Sequence, residues 1–242
     1  MVLNKKDNVF RVKLAGIIIE VRSLYSDVME LCREYLCEAE PDVVISMTEE
    51  DLKKERMRYP NGDWETSGYI EILAVYRKLA EAVLDYEILL IHGSAVAVDG
   101  KGYLFLAPSG TGKSTHTRLW REYLGDRAEM INDDKPLLRL LGNQIFVCGT
   151  PWNGKHRLGT NRNVPLHGLC ILRRGKENII RRVSPQEAYT DVLRQIYRPL
   201  ADGEKMKKSL KLMDKIMQMP LFYMECTISV EAAQMAYERM GQ

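Results

Sequence analysis

The chain has 242 residues, 45% hydrophobic and 28% charged, a balance that excludes wholesale disorder and fits one large globular domain with a small appendage. Lysine and arginine (35) nearly cancel aspartate and glutamate (33), and the formal charge of +2 is too weak to argue for a nucleic acid or an anionic membrane as partner. No apolar run approaches the ~20 residues that cross a bilayer, and residues 1–7 turn charged at once, without the apolar core of a signal peptide. Cys32, Cys37, Cys148, Cys170 and Cys226 are odd in number and lack metal-ligand spacing, so they read as reduced thiols of a cytoplasmic protein.

Phe10, Val12 and Leu14 alternate with Arg11 and Lys13, Ala15-Gly16 offers a turn, and 17–21 is branched and apolar, which predicts a β-hairpin. Ser26 is placed to cap a helix with Val28, Met29, Leu31, Cys32 and Leu36 at helical spacing. A short strand over 42–47 leads to a helix start at Thr48, where Glu49, Glu50 and Asp51 meet the positive dipole end. Pro60-Asn61-Gly62-Asp63 breaks the chain. Residues 1–66 read as a small α+β unit without recognisable chemistry, and 67–242 as the catalytic domain.

A long amphipathic helix is predicted over 67–86, then a buried strand over 88–91 that ends in His92-Gly93 and should neighbour the next strands. Residues 95–98 and 103–106 flank an Asp99-Gly100 turn, and 137–141 and 144–148 flank Gly142-Asn143, so each pair predicts a hairpin. Residues 149–165 form a polar loop too long to be filler. Strands follow at 169–172 and 179–183. Ser184-Pro185-Gln186-Glu187 is a full capping box with proline at the first helical position, and two further helices bracket a strand at 221–226.

The run Ala107-Pro108-Ser109-Gly110-Thr111-Gly112-Lys113-Ser114 sits between a predicted strand and a predicted helix, the context that a phosphate-binding loop requires. Glycines let successive N–H groups turn around phosphate oxygens, and the helix N-terminus adds partial positive charge. Lys113 would reach the outer phosphates and Ser114 would offer its hydroxyl to Mg²⁺, with Ser109, Gly110, Thr111, Gly112 and Thr115 completing the nucleotide contacts. Ala107 replaces the usual first glycine by a single methyl group. Asp133 and Asp134 follow twenty residues past Lys113, where a strand should end and let both acids reach the cavity. One carboxylate would bind Mg²⁺ and the other would accept a proton. His92 lies twenty-one residues before Lys113, at what should be the same sheet edge.

His92-Gly93-Ser94-Ala95-Val96, Ser109-Gly110-Thr111-Gly112-Lys113-Ser114 and Asn132-Asp133-Asp134 together resemble the catalytic core of HPr kinase/phosphorylase and of the ATP-type phosphoenolpyruvate carboxykinases. The resemblance covers about a fifth of the chain. It implies an α/β fold with the P-loop core of that type, ATP as substrate and Mg²⁺ as cofactor. By it Asp134 would sit at the metal, Asp133 would be the base for the acceptor hydroxyl, and His92 would lie near the metal or the transferred phosphoryl group. The implied activity is a serine kinase acting on a small protein or peptide, and a homo-oligomer is an expectation carried by the resemblance alone. The arginines with which a carboxykinase holds its substrate have no match here, and Thr115 stands where HPr kinases carry a glutamate.

Within the long loop, Trp152, Asn153, Lys155 and Arg162 are the candidate acceptor or anion residues. Lys155 would stabilise transition-state charge, or Arg162 would clamp an anion; the bland alternative is a solvated basic loop. His116, Trp120 and the methionines Met206, Met213, Met217 and Met219 read as packing. Asn4-Lys5-Lys6-Asp7 spells a GTPase base-recognition motif but precedes the loop, and has no role. Two other functions remain open on sequence: a small-molecule kinase or minimal carboxykinase-like enzyme, and a nucleotide-binding module without turnover.

Overall fold

Residues 8–59 and 66–242 are described by the computed structural model. Residues 1–7, with their Asn-Lys-Lys-Asp run, and the Pro60-Asn61-Gly62-Asp63 breaker lie outside the described residues. The chain forms two compact units, Met1–Val83 and Leu84–Gln242.

In the first unit, β1 (Val9–Leu14) and β2 (Ile17–Arg22) pair antiparallel, and β3 (Val43–Ser46) adds parallel to β2. Ala15 and Gly16 both have positive φ, 49° and 81°, as a two-residue hairpin turn with right-handed strand twist requires. The predicted helix after Ser26 is cut short. α1 (Asp27–Leu31) passes into a 3-10 turn, Leu36 is extended and bridges Val12, and Ser26 makes no side-chain cap, so pairing with the hairpin overrides helical spacing. α2 (Glu49–Met57) starts with a reciprocal capping box between Thr48 and Asp51. α3 (Ser67–Ala82) buries Ile70, Ala74, Val75 and Leu79 and packs on α1, α2 and β3, so this helix belongs to the first unit and the boundary falls after Val83.

The second unit is built on a nine-stranded sheet. Its strands are β4 (Ile88–Leu90), β5 (Ser94–Val98), β6 (Lys101–Leu106), β7 (Ala128–Asn132), β8 (Leu137–Leu141), β9 (Gln144–Cys148), β10 (Asn163–Arg174), β11 (Ile179–Arg182) and β12 (Leu221–Cys226). The order is β4-β8-β9-β10-β6-β5-β7, with β12 also on β10 and β11 on β12. β10 runs twelve residues, longer than the strand predicted at 169–172, because it changes partners: β9 over Asn163 to Pro165, β6 from Leu166, and β12 from Leu169. Strand β4 pairs with β8 and not with the strand before the glycine loop. It is β5 that adjoins β6, and His92 reaches that neighbourhood by preceding β5.

Side chains along β5, β6, β10 and β12 alternate between two cores, as a pleated sheet covered on both faces demands. Ala95, Leu104, Ile171 and Tyr223 join Val192 and Met213 of α5 (Pro185–Gln195) and α6 (Gly203–Ile216). Val96, Phe105, Cys170 and Met224 join Trp120 and Ala236 of α4 (Lys113–Leu124) and α7 (Val230–Met240). Ser184 does cap α5 by accepting from the Glu187 N–H, but the Glu187 carboxylate pairs with Arg181, so only half of the expected box forms. Met213 and Met217 are core residues. All five cysteines are free thiols. Among the described residues no helix is long and apolar enough to cross a membrane.

Candidate active site

β6 and β10 are parallel, as are β10 and β12, and β7 shares their direction because both β6 and β7 run antiparallel to β5. Four strand ends therefore meet at one edge of the sheet, together with the start of β5, and this is where α/β sheets place ligand crevices.

Ala107 to Gly112 link β6 to α4. Gly110 and Gly112 have φ of +77° and +123°, conformations that side chains rarely adopt, and no heavy atom lies within 4 Å of where a Cβ would stand at either. The loop thus keeps an open side. Gly112 is the N-cap and supplies no side chain, so the first N–H groups of α4 face outward with the dipole's positive end. The Ala107 methyl is absorbed into the core, which explains why alanine fits. Lys113 is buried, and its Nζ donates to the carbonyls of Ala107 (2.8 Å) and Pro108 (3.5 Å). Arg174, at the end of β10, donates to the carbonyls of Gly110 (2.5 Å) and Thr111 (3.4 Å). Ser109, Gly110 and Ser114 are exposed; Thr111 and Thr115 are half-buried.

The acids follow β7 directly. Buried Asn132 accepts from the N–H groups of Asp134 (2.9 Å) and Lys135 (2.7 Å) and donates to the Thr150 hydroxyl (3.0 Å), which folds the chain back at this point. Asp133 Oδ1 accepts from Ser94 Oγ at 2.7 Å, and Ser94 Oγ lies 3.0 Å from Thr117 Oγ1 on α4. All three residues are buried. Since the single Ser94 proton goes to the carboxylate, a hydrogen bond between the two hydroxyls is donated by Thr117, whose Oγ1 also lies 3.3 Å from the carbonyls of Lys113 and Ser114. The second carboxylate oxygen faces the long loop: a Cβ on Gly154 would lie 3.0 Å from Asp133 Oδ2.

Asp134 Oδ1 lies 3.0 Å from Lys135 Nζ and 3.5 Å from His92 Nε2. His92 Nδ1 meets Gln195 Oε1 at 3.0 Å, which puts the proton on Nδ1 and turns the Nε2 lone pair toward Asp134. Burial first, then the charges of Lys135 and Lys113, push the His92 imidazole down to about 4 against the pull of Asp134, so it is neutral near pH 7. The Lys113 ammonium is also lowered, chiefly by burial; Asp134 and Asp133 act to raise it. These mutual effects place Lys113, Asp133, Asp134 and His92 in one electrostatic cluster.

The 149–162 loop closes on the same edge. Gly149 N–H donates to Arg162 O (2.9 Å), Thr160 N–H to Ile131 O (3.2 Å), and a Cβ on Gly149 would stand 1.7 Å from Thr160 O. Trp152 is buried, and Asn153 Nδ2 braces the loop at Thr150 O (3.0 Å). Lys155 is exposed at the tip. Arg162 pairs with Glu129, four residues back along β7 and roughly 13 Å from the acids, so it is not brought to them. His116 and Trp120 do pack, with Trp120 Nε1 donating to His116 Nε2 at 3.1 Å. Sequence reading missed Thr117, Lys135, Arg174 and Gln195 and gave Ser94 no role. Arg174 and Gln195 are distant in sequence and carry no local signal, whereas Ser94 sits two residues from His92.

No family model matches the chain, and no curated protein matches it. Among solved structures, the Hpr(Ser) kinase/phosphatase from Coxiella burnetii aligns with a TM-score of 0.34 and 11% identity, over 63% of this chain and 99% of that one. At that similarity the match speaks to neither site nor chemistry.

Proposed function

We propose that the chain is an ATP- and Mg²⁺-dependent phosphotransferase that moves the γ-phosphoryl group to a hydroxyl, with serine on a small protein or peptide as the acceptor the sequence resemblance implies. One observation carries the reading: a buried lysine and the open end of a helix share a sheet edge with two acids, one of which is held by a serine that a threonine contacts in turn. That combination suits in-line phosphoryl transfer, which needs cations on the phosphates and a base beside the acceptor.

In this reading the glycine loop and Lys113 hold the β- and γ-phosphates. Ser94 fixes Asp133 so that Oδ2 is turned toward Gly154, where the acceptor hydroxyl would enter. Asp133 takes the hydroxyl proton as that oxygen bonds to the γ-phosphorus, and the bond to the β-bridging oxygen breaks to release ADP. The donors present, a serine hydroxyl and a carboxylate, fit a magnesium ion shared with phosphates, since Mg²⁺ commonly uses one or two carboxylates plus phosphate oxygens. Ser114, exposed at the start of α4, and Asp134, with a 38% exposed side chain, would hold it, with the His92 lone pair alongside. Bound there, the ion neutralises charge on the outer phosphates.

The test is acceptor-dependent ADP release. Asp133→Asn abolishes turnover and leaves the Kd for Mg·ATP within about twofold. ATP binding without acceptor-dependent turnover, insensitive to this substitution, would make the chain a binding module instead; CO₂ release from oxaloacetate would make it a carboxykinase.

A further inference from the structure

Lys135 is a cation at the sheet edge that the proposed reaction leaves unused. It follows the paired acids directly, and its main chain is pinned from both sides. Its N–H donates to Asn132 Oδ1 (2.7 Å), and its carbonyl accepts from the Thr150 hydroxyl (2.8 Å). The root of the side chain is therefore fixed, while its four-carbon stem and three rotatable donors are not. The ammonium rests 3.0 Å from Asp134 Oδ1, and the side chain is 26% exposed.

That oxygen has a second neighbour, because His92 Nε2, with its lone pair, lies 3.5 Å from it. A carboxylate oxygen beside a nitrogen lone pair is a seat for a cation, and in this structure the cation on it is the Lys135 ammonium. A divalent ion bound to Asp134 repels the ammonium from that seat, since two positive centres then crowd one oxygen. With its root pinned, the displaced ammonium stays at the edge, where the outer phosphates of a bound nucleotide are the nearest uncompensated anions. The electrostatics agree with this placement. After burial, the charge of Lys135 and then that of Lys113 depress the His92 imidazole, and Lys135 also acts to lower Lys113. The two ammoniums thus flank one cluster, Lys113 from the glycine-loop side and Lys135 from the side of the acids. Lys155, to which the sequence gave the task of meeting transition-state charge, is exposed at the tip of its loop.

We propose that Lys135 is a second phosphate lysine: parked on Asp134 before nucleotide binds, it moves to the γ-phosphoryl oxygens when a divalent ion takes that carboxylate. The assignment rests on the phosphotransferase reading. No bond to the lysine forms. It donates hydrogen bonds to the γ oxygens and meets their charge while the phosphoryl group passes to the acceptor.

The test is binding without turnover. Wild type and Lys135→Met are titrated by calorimetry with Mg·ADP and with the magnesium complex of the non-hydrolysable β,γ-imido analogue of ATP. Lys135→Met weakens the analogue about tenfold or more, the loss of a hydrogen bond to a charged group, and leaves Mg·ADP within about twofold, because ADP lacks the γ group. Lys135→Gln, which keeps a polar head without the charge, repeats that pattern. The Asp134 side chain is 38% exposed, so water replaces the ammonium there. With ADP bound, Mn²⁺ read by electron paramagnetic resonance binds Lys135→Met about threefold tighter than wild type, since the ammonium no longer competes for the carboxylate. Equal weakening of both nucleotides, weakening of neither, or unchanged Mn²⁺ affinity would overturn the role of Lys135 and leave the phosphate loop standing. If the wild-type chain binds neither nucleotide, the phosphotransferase reading falls as well.

Discussion

Ser94→Ala removes the hydroxyl that donates to Asp133 and strands that carboxylate oxygen, while Thr117 loses one contact and keeps the Lys113 and Ser114 carbonyls at 3.3 Å. Ser94 and Thr117 are 0% and 1% exposed, so water cannot replace the lost group without the fold opening. A hydrogen bond to a charged group contributes about 1.5–3 kcal/mol, and a neutral one about 1 kcal/mol. Ser94→Ala is therefore expected to lower the unfolding free energy of the second unit by about 2 kcal/mol. Thr117→Val keeps shape and loses the contact to Ser94 together with those to the carbonyls of Lys113 and Ser114, at about 1 kcal/mol. Because the 3.0 Å link between them is lost once in the double variant, the two effects fall short of additivity by about 0.5–1 kcal/mol. Denaturant titration followed by fluorescence of buried Trp120 and Trp152 reads this directly. Turnover of Ser94→Ala should fall while Mg·ATP affinity holds, since Ser94 acts through Asp133 and touches no phosphate-binding group. A Ser94→Ala loss under 0.5 kcal/mol with strict additivity would refute the claim that this network holds the base.

Two other perturbations probe neighbouring features. Burial pushes His116 from 6.5 down to about 4, and a depressed histidine favours the fold above pH 6.5 and loses that contribution as pH falls through about 4, so stability drops by about 3 kcal/mol between pH 7 and pH 4. His116→Gln should flatten that part of the stability-against-pH curve, while His92 contributes equally to both proteins; parallel curves, or a His116 imidazole titrating near 6.5 by NMR, contradict the burial argument. Gly154→Ala places a methyl 3.0 Å from Asp133 Oδ2 and should cut turnover about tenfold or more at unchanged Mg·ATP affinity; full activity would show that the acceptor does not approach between Gly154 and this oxygen.

What the sequence disclosed was local. Turn pairs such as Gly142-Asn143 and Asp99-Gly100 lie within a few residues, and the two hairpins they predict form, as do the strand and helix on either side of the glycine loop. What it concealed depends on non-local pairing. The predicted helix through Leu36 gives way because Leu36 bridges Val12. β10 outgrows its apolar core because it draws hydrogen bonds from three neighbours, and it holds Pro165 within the stretch paired to β9. Arg162 reads as an anion clamp by composition, yet Glu129 is nearer in space than the acids are. Arg174 and Gln195 gave no signal because a cation or an amide at the end of an element is ordinary until the fold sets it against the loop or His92.

The order of motifs along the chain follows from strand direction. β5 runs opposite to β6, so its first residue, and not its last, stands at the edge where β6 ends. Ser94 therefore meets Asp133 and α4 although 39 residues separate it from the acid. β7 returns antiparallel to β5 and ends opposite Ala95, which brings Asp133 and Asp134 beside the residue that opened the hairpin. A strand inserted between β5 and β7 would move the acids by about 5 Å and break both the Ser94 contact and the field on Lys113. The hairpin of β5 and β6 followed by a crossover through α4 thus holds serine, lysine and acids together, and the buried hydroxyls between them need no flexible loop to keep that arrangement.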